Sequence, residues 1–292
     1  MRILIIGANG LIGSNITRCL LSKKSWQIYP LIRSKTKFNY FENTNNSQVL
    51  EINDLNEIKY FTSLITKFNI NVIINCAGIT KHNPEIKDLD KTLYLNSIFP
   101  KKISDISKKM KIRFIHLSSD CVFSGQSKMY DEDSIKDAKD YYGFTKSLGE
   151  INDSKNLTIR TSTIGHEINT SYGLLNWFLK QEECLGYKNA IFSGPTTLEL
   201  SKIIRDIIIP NNKLTGILNI SAEPIDKYSL LEIIKKVYCL KTIIKPSYEI
   251  KINRSLNSNK FRTATNYCIK TWEDMINEMY VNKYSDCFRI IR

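Results

Sequence analysis

Arg2-Ile-Leu-Ile-Ile6, Gly7-Ala8-Asn9-Gly10 and Leu11-Ile12-Gly13 open the chain, and the reading of this stretch decides the fold. A short apolar run of this kind is what a parallel strand buried on both faces shows. It breaks into closely spaced glycines, beyond which Leu11, Ile12, Ile16, Cys19 and Leu20 recur on one side of a helix. Strand, glycine turn and helix start in direct succession make a site for a dinucleotide pyrophosphate. Glycines let the backbone approach the phosphates, while unpaired N–H groups and the helix dipole meet their charge. Gly7, Gly10, Leu11, Ile12 and Gly13 are therefore candidate cofactor residues. Their Gly-x-x-Gly-x-x-Gly spacing differs by one residue from the commonest fingerprint.

Outward from this turn, Gln27 to Ile32 reads as a second strand, and its end selects the cofactor. A carboxylate there would bind the ribose 2′-hydroxyl of NAD. The chain has Ile32-Arg33-Ser34-Lys35 instead, whose cations and hydroxyl suit a 2′-phosphate, so NADPH is expected with Arg33 on that phosphate. Asn39 to Gln48 reads as a polar loop and Val49 to Ile52 as a third strand. Asp54 and Leu55 follow within reach of the adenine; alternatively Asp54 caps the helical stripe of Leu55, Ile58, Phe61, Leu64, Ile65 and Phe68. Asn71 to Asn75 reads as a fourth strand. The small residues Cys76-Ala77-Gly78 at its end let a flat ring pass close to the backbone.

A long helical region then carries Asn96 and runs to Lys111, and Ile112 to Leu117 is a strand that delivers Ser118-Ser119-Asp120-Cys121. With residues 140–152 helical, Tyr142 and Lys146 lie four apart and share one face. A neighbouring cation favours the phenolate and draws the phenol toward a range useful for proton exchange. Ser119, leaving the strand end, can give a second hydrogen bond to the same substrate oxygen. Leu157 to Arg160 reads as the sixth strand.

The 292 residues are 42% hydrophobic and 24% charged, ordinary for a globular protein able to bury a full core. The formal charge is +13, but Lys is spread along the chain amid abundant Ile and Asn. No dense basic run, C2H2 spacing or aromatic RNA-binding signature accompanies it, so nucleic acid is not an expected partner. Cys19, Cys76, Cys121, Cys184, Cys239, Cys268 and Cys287 stand singly, as reduced thiols do, and no metal-ligand set is expected. The first apolar run is cut off at Gly7, and no window approaches a membrane span. A soluble, cytoplasmic protein without a signal peptide or membrane contact is the expectation.

The glycine turn, Cys76-Ala77-Gly78, Asn96, Ser119 and Tyr142-x-x-x-Lys146 resemble, in order and separation, the extended short-chain dehydrogenase/reductase family. Ser118-Ser119-Asp120-Cys121-Val122-Phe123-Ser124-Gly125 is similar to the Ser-Thr-Asp-Tyr-Val-Phe-x-Gly segment of dTDP-4-dehydrorhamnose reductases. The resemblance implies an α/β fold: a doubly wound parallel Rossmann sheet over 1–162, residues 198–221 packing back on it, and a smaller substrate-binding domain over 163–292. It implies cofactor contacts from Cys76, Ala77, Gly78, Asn96, Tyr142 and Lys146, substrate contacts from Ser119, Asp120 and Cys121, and homodimers paired through the helices of Asn96 and Tyr142. The implied activity is NADPH-dependent reduction of a nucleotide-linked 4-keto-6-deoxy sugar, dTDP- or UDP-linked and including 2-acetamido sugars, in surface glycan synthesis. Tyr142 would donate the proton, Lys146 would hold the ribose and depress the Tyr142 pKa, and Ser119 would polarise the carbonyl. Rival readings are a redox-neutral NAD-dependent epimerase or dehydratase and a non-catalytic NADP-binding regulatory subunit.

Cys121 departs from the reductase pattern, which has Tyr there. In related enzymes that both epimerise and reduce keto-sugar nucleotides, a Cys at that place exchanges a proton beside the carbonyl. His166, Tyr172 and Lys180 are open as its partner, and a small buried apolar role for the thiol is the alternative. In the second half, Leu174 to Leu179, Leu198 to Ile208, Leu230 to Tyr238 and Trp272 to Met279 read as helices, Ile191 to Thr197 as a strand and turn with Gly194-Pro195, and Ile217 to Ile220 as a further strand. The clusters Phe192-Ser-Gly-Pro-Thr-Thr197 and Asn253-Arg254-Ser255-Leu-Asn257 either hold a nucleotide diphosphate or are ordinary turns and caps. Thr197 and Arg254 are the substrate candidates there, Arg254 for a phosphate.

Overall fold

A computed structural model describes residues 1–33, 45–168 and 170–283. Ser34, Lys35, the first part of the Asn39 to Gln48 loop and Cys287 lie outside the described residues. The first half contains β1 (Arg2–Ile6), α1 (Leu11–Leu21), β2 (Gln27–Ile32), β3 (Leu50–Glu51), α2 (Ile58–Phe68) and β4 (Val72–Asn75). It continues with α3 (Leu89–Leu93), α4 (Phe99–Met110), β5 (Arg113–Leu117), α5 (Tyr141–Gly149) and β6 (Leu157–Arg160). The second half adds α6 (Leu174–Phe178), β7 (Glu183–Tyr187), β8 (Ala190–Phe192), α7 (Thr197–Ile203), β9 (Gly216–Asn219) and β10 (Ile225–Asp226). After these come α8 (Lys227–Val237), β11 (Ile243–Ser247), β12 (Ile252–Asn253), α9 (Asn259–Thr265) and α10 (Trp272–Lys283).

Seven parallel strands form one sheet in the order β3-β2-β1-β4-β5-β6-β9. This is a Rossmann-like α/β fold. The inner strands are apolar on both faces because both faces are covered. On one side Ile16 and Leu20 of α1 meet Leu200, Ile203 and Ile208; on the other, Phe61 of α2 and Phe99 and Ile103 of α4 meet Phe114. Strand order reverses between β1 and β4, so the connections leave their carboxyl ends in opposite directions and open a crevice there. A third cluster, including Phe178, Leu231, Ile234 and Ile276, packs the second half around α8 and α10.

Two local features hold the crevice wall. A π turn, Tyr94–Ile98, interrupts the passage from α3 to α4 and lets α5 approach closely: a Cβ on Gly149 would lie 1.9 Å from the Asn96 carbonyl. Helix α5 stops at Gly149 rather than at 152, because Glu150 turns to extended backbone. Its carboxylate then takes Arg160 through two bonds of 2.8 and 2.9 Å and the Ser118 hydroxyl at 2.8 Å. Among the described residues no helix is long and apolar enough to cross a membrane.

Candidate active site

The crevice is a cavity of about 1770 Å³, beyond the several hundred Å³ that one drug-sized ligand occupies. Its floor begins at the glycine turn. Gly7 has φ +76°, and a Cβ there would press within 2.8 Å of the Ala77 nitrogen, so β1 and β4 can part at this closeness only with glycine. A Cβ on Gly13 would sit 2.2 Å from the Gly7 carbonyl. Gly10 differs: its Cβ would meet only that carbonyl, at 3.5 Å, and the residue lines the cavity. Protein packing therefore does not require glycine at Gly10, whereas a group seated on the turn would. Helix α1 starts on Gly10 with no side-chain cap and no acidic residue in its first turn, leaving N–H groups for an anion.

The other cofactor candidates surround this turn. Leu11, Ile12, Arg33, Asp54, Leu55, Cys76, Ala77 and Gly78 all line the cavity. Arg33 is largely exposed and lies 3.3 Å from Glu85 at the rim. Asp54 does not cap α2, whose N-cap is Glu57; its carboxylate closes its own turn onto the Asn56 backbone and side-chain amides, at 2.8 Å each. Burial pushes the Cys76 thiol up to about 12. Asn96 lies behind the wall rather than in it. Its amide is saturated by Ile79, whose N–H it accepts at 2.9 Å and whose carbonyl it reaches at 3.0 Å, and by the Thr145 hydroxyl. Asn96 thereby fixes the loop after β4 against α5.

Ser119, Asp120, Cys121 and Tyr142 line the cavity together. Ser119 caps a 3-10 turn, accepting the Cys121 N–H at 3.1 Å and donating its hydroxyl to the Asp120 carboxylate at 3.2 Å. Asp140 caps α5 by accepting from Gly143, which sets Tyr142 in the first turn, and Gly143 packs against the Cys121 carbonyl in the turn after β5. Lys146, one turn on, is buried and donates to the Leu117 carbonyl at 2.6 Å. Burial lowers its pKa to about 8. The depressed phenol anticipated from the spacing is not what the protein itself has. Burial first, then the Cys121 thiol, push Tyr142 above its ordinary range, with Ser119 acting the other way.

Cys121 is a protonated thiol, raised to about 12 by burial and Asp120 against the pull of Arg254 and Lys81. Arg254 reaches it from β12, donating to the sulfur at 3.6 Å and to the Phe123 carbonyl at 2.8 Å. Thr197 is not brought to the cavity. It is buried in the first turn of α7, its side chain filling the space above Gly165. Of the three candidate partners for Cys121, Tyr172 lines the cavity, His166 is hydrogen-bonded to the Tyr238 hydroxyl at 2.7 Å, and Lys180 bonds the Ser171 hydroxyl at 2.8 Å. Sequence reasoning passed over Lys81 and Lys227, which also face the cavity. Neither sits in a motif; only the sheet β10-β8-β12 carries Lys227 there.

The RmlD substrate binding domain family matches residues 1–224. A dTDP-4-dehydrorhamnose reductase of Aggregatibacter actinomycetemcomitans is 26% identical over 234 residues, 76% of this chain and 74% of that one. Methionine adenosyltransferase 2 subunit beta of Xenopus laevis is 30% identical over 154 residues, 51% of this chain and 41% of that protein. Among solved structures, a dTDP-4-dehydrorhamnose reductase from Bacillus anthracis in complex with NADP superposes with a TM-score of 0.78 at 21% identity, covering 96% of this chain and 99% of that one. The match over residues 1–224 takes in the glycine turn, Ser119, Tyr142 and Lys146, so the chain belongs to the RmlD substrate binding domain family and, with it, to the extended short-chain dehydrogenase/reductases.

Proposed function

We propose that the protein is an NADPH-dependent reductase of a nucleotide-linked 4-keto-6-deoxy sugar, working in glycan synthesis. The observation that carries this reading is that Ser119 and Tyr142 line the wall of a cavity whose floor is the glycine turn. The residues fit NADP: the space above Gly10 takes the pyrophosphate, the start of α1 meets its charge, and Arg33 takes the 2′-phosphate. When bound, the nicotinamide supplies the hydride for the sugar carbonyl. Tyr142, kept protonated by burial, gives its phenolic proton to the carbonyl oxygen as negative charge develops there. Ser119 holds the same oxygen by a second hydrogen bond. Lys146 holds the end of β5 to α5 and lies next to Gly78, from where its ammonium would hold the ribose.

Relatives support the sugar-nucleotide class: besides the Aggregatibacter enzyme, a spore coat polysaccharide biosynthesis protein of Bacillus subtilis is 26% identical over 56% of this chain. The test is NADPH consumption, followed at the nicotinamide band, with 4-keto-6-deoxy derivatives of UDP-GlcNAc and dTDP-glucose. No consumption with either sinks the reading. A second activity, proton exchange beside the carbonyl by the Cys121 thiol, predicts solvent deuterium in the product of the native protein and none in Cys121→Ser. Homodimer formation through exposed Phe144 and Leu148 on α5 belongs to the same reading, and sedimentation of Phe144→Glu against the native chain tests it.

The match to the Xenopus subunit favours one other reading, an NADP-binding regulatory subunit without turnover of its own. NADP binding with no turnover of any keto-sugar would support it over the reductase.

A further inference from the structure

Arg33, just past the end of β2, does not stand alone at the rim of the crevice. Glu85 lies beside it, although 52 residues separate the two in the chain, and the guanidinium Nη1 meets Glu85 Oε1 at 3.3 Å. The Lys91 ammonium meets the same oxygen at 3.0 Å. All three residues line the cavity that begins at the glycine turn. Burial alone would raise the Glu85 carboxyl, but hydrogen bonds from Lys91 and Arg33 hold it below its ordinary range, so it is an anion at neutral pH.

The backbone keeps this carboxylate at the rim. Glu85 sits in a 3-10 turn, Pro84–Lys87, capped by Asn83, whose side chain accepts the Glu85 N–H at 2.9 Å. The Glu85 carbonyl accepts the Asp88 N–H at 3.0 Å, and the Asp88 side chain caps α3 by accepting the Lys91 N–H at 3.0 Å. An exposed ion pair is weak, so a phosphate arriving at Arg33 can take the guanidinium from Glu85. The pinned turn leaves the carboxylate nearby afterwards. An anion held beside a phosphate is repelled even through water, in proportion to the phosphate's charge. A ribose with a free 2′-hydroxyl meets no such repulsion, and a carboxylate can accept its hydrogen bond.

We infer that Glu85 determines how strongly the protein prefers NADPH over NADH: it opposes the 2′-phosphate that Arg33 holds, and Lys91 offsets part of that opposition by sharing the carboxylate. This rests on the NADPH reading above, with Arg33 on the 2′-phosphate. The native preference is therefore smaller than Arg33 by itself would give. Removing the Glu85 charge enlarges it, and removing Lys91 shrinks it.

The experiment is calorimetric titration of the full chain with NADPH, NADH, adenosine 2′,5′-bisphosphate and AMP, using native protein, Glu85→Gln, Lys91→Met and Arg33→Ala. Glu85→Gln is expected to bind NADPH and adenosine 2′,5′-bisphosphate about three- to tenfold more tightly, with NADH and AMP no tighter. That gain should shrink at high salt. Lys91→Met should weaken the same two ligands and spare the others. An unchanged NADPH-to-NADH ratio in Glu85→Gln, with the preference still lost in Arg33→Ala, overturns the role of Glu85 and leaves the NADPH reading intact. Equal shifts for both cofactors also overturn it, because they show a turn that merely shapes the crevice. A native protein with no preference for the 2′-phosphate, unmoved by Arg33→Ala, strikes the placement of that phosphate on Arg33 and the role of Glu85 with it.

Discussion

Lys146 donates its ammonium to the Leu117 carbonyl at 2.6 Å, so the cation one turn from Tyr142 is anchored to the strand that delivers Ser119. Its folded pKa of about 8 lies below the ordinary 10.5. Between those values the unfolded chain binds more protons, and the native state therefore gains stability as pH rises from about 8 to 10.5. Below 8 the cost of the buried charge is fully present. Across that window the gain is on the order of 3 kcal/mol. Urea midpoints of native protein should rise relative to Lys146→Met over this window. Parallel midpoints would mean that the ammonium is not desolvated.

Tyr142→Phe removes the phenolic proton while keeping the ring. Turnover of the keto-sugar is expected to fall by roughly 10²–10⁴-fold, with nucleotide affinity little changed. Undiminished turnover would take Tyr142 out of the chemistry.

Gly10 and Gly13 separate cofactor binding from folding. An added methyl at Gly13 meets backbone at 2.2 Å, and Gly13→Ala should lose about 1–3 kcal/mol of stability along with cofactor binding. At Gly10 the methyl meets the protein only at 3.5 Å, so Gly10→Ala should melt like the native protein yet bind NADP weakly. Native NADP affinity in Gly10→Ala would place the pyrophosphate elsewhere.

Arg33 is exposed, and its contact with Glu85 at 3.3 Å contributes about 0–1 kcal/mol to stability. Arg33→Ala should leave the melting temperature unchanged and weaken NADPH about tenfold relative to NADH. An unaltered preference would remove Arg33 from the 2′-phosphate.

Glu150 is the buried anion beneath the site, tied to Arg160, Ser118 and, at 3.2 Å, Lys136. Glu150→Ala strands the Arg160 guanidinium and should cost about 3–5 kcal/mol in denaturant unfolding. A loss under 1 kcal/mol would contradict the burial of the pair.

The sheet was legible in the sequence because its inner strands are covered on both faces. Mostly apolar runs serve there, with buried polar groups such as Asn75, His116 and Arg160 each given a partner, and β1, β2 and β6 begin and end where the sequence places them. Short strands such as β10 and β12 show no period, and their pairing with β8 depends on distant chain. The π turn escaped notice for a similar reason: it reflects the approach of α5 at Gly149, not a local preference.

The candidate site divides along the same line. Sequence by itself placed Gly7, Gly10, Gly13, Ser119, Tyr142 and Lys146, because backbone approach and helical spacing are local properties. Tertiary structure alone decided what those groups do to one another. Spacing of four puts Lys146 on the face of Tyr142, but the nearby carbonyl of Leu117 takes its ammonium, and burial then moves the phenol up rather than down. Only packing of the second half brings Arg254 within 3.6 Å of the Cys121 sulfur and Lys227 into the same cavity, since contacts between distant parts of the chain leave no local pattern in the sequence.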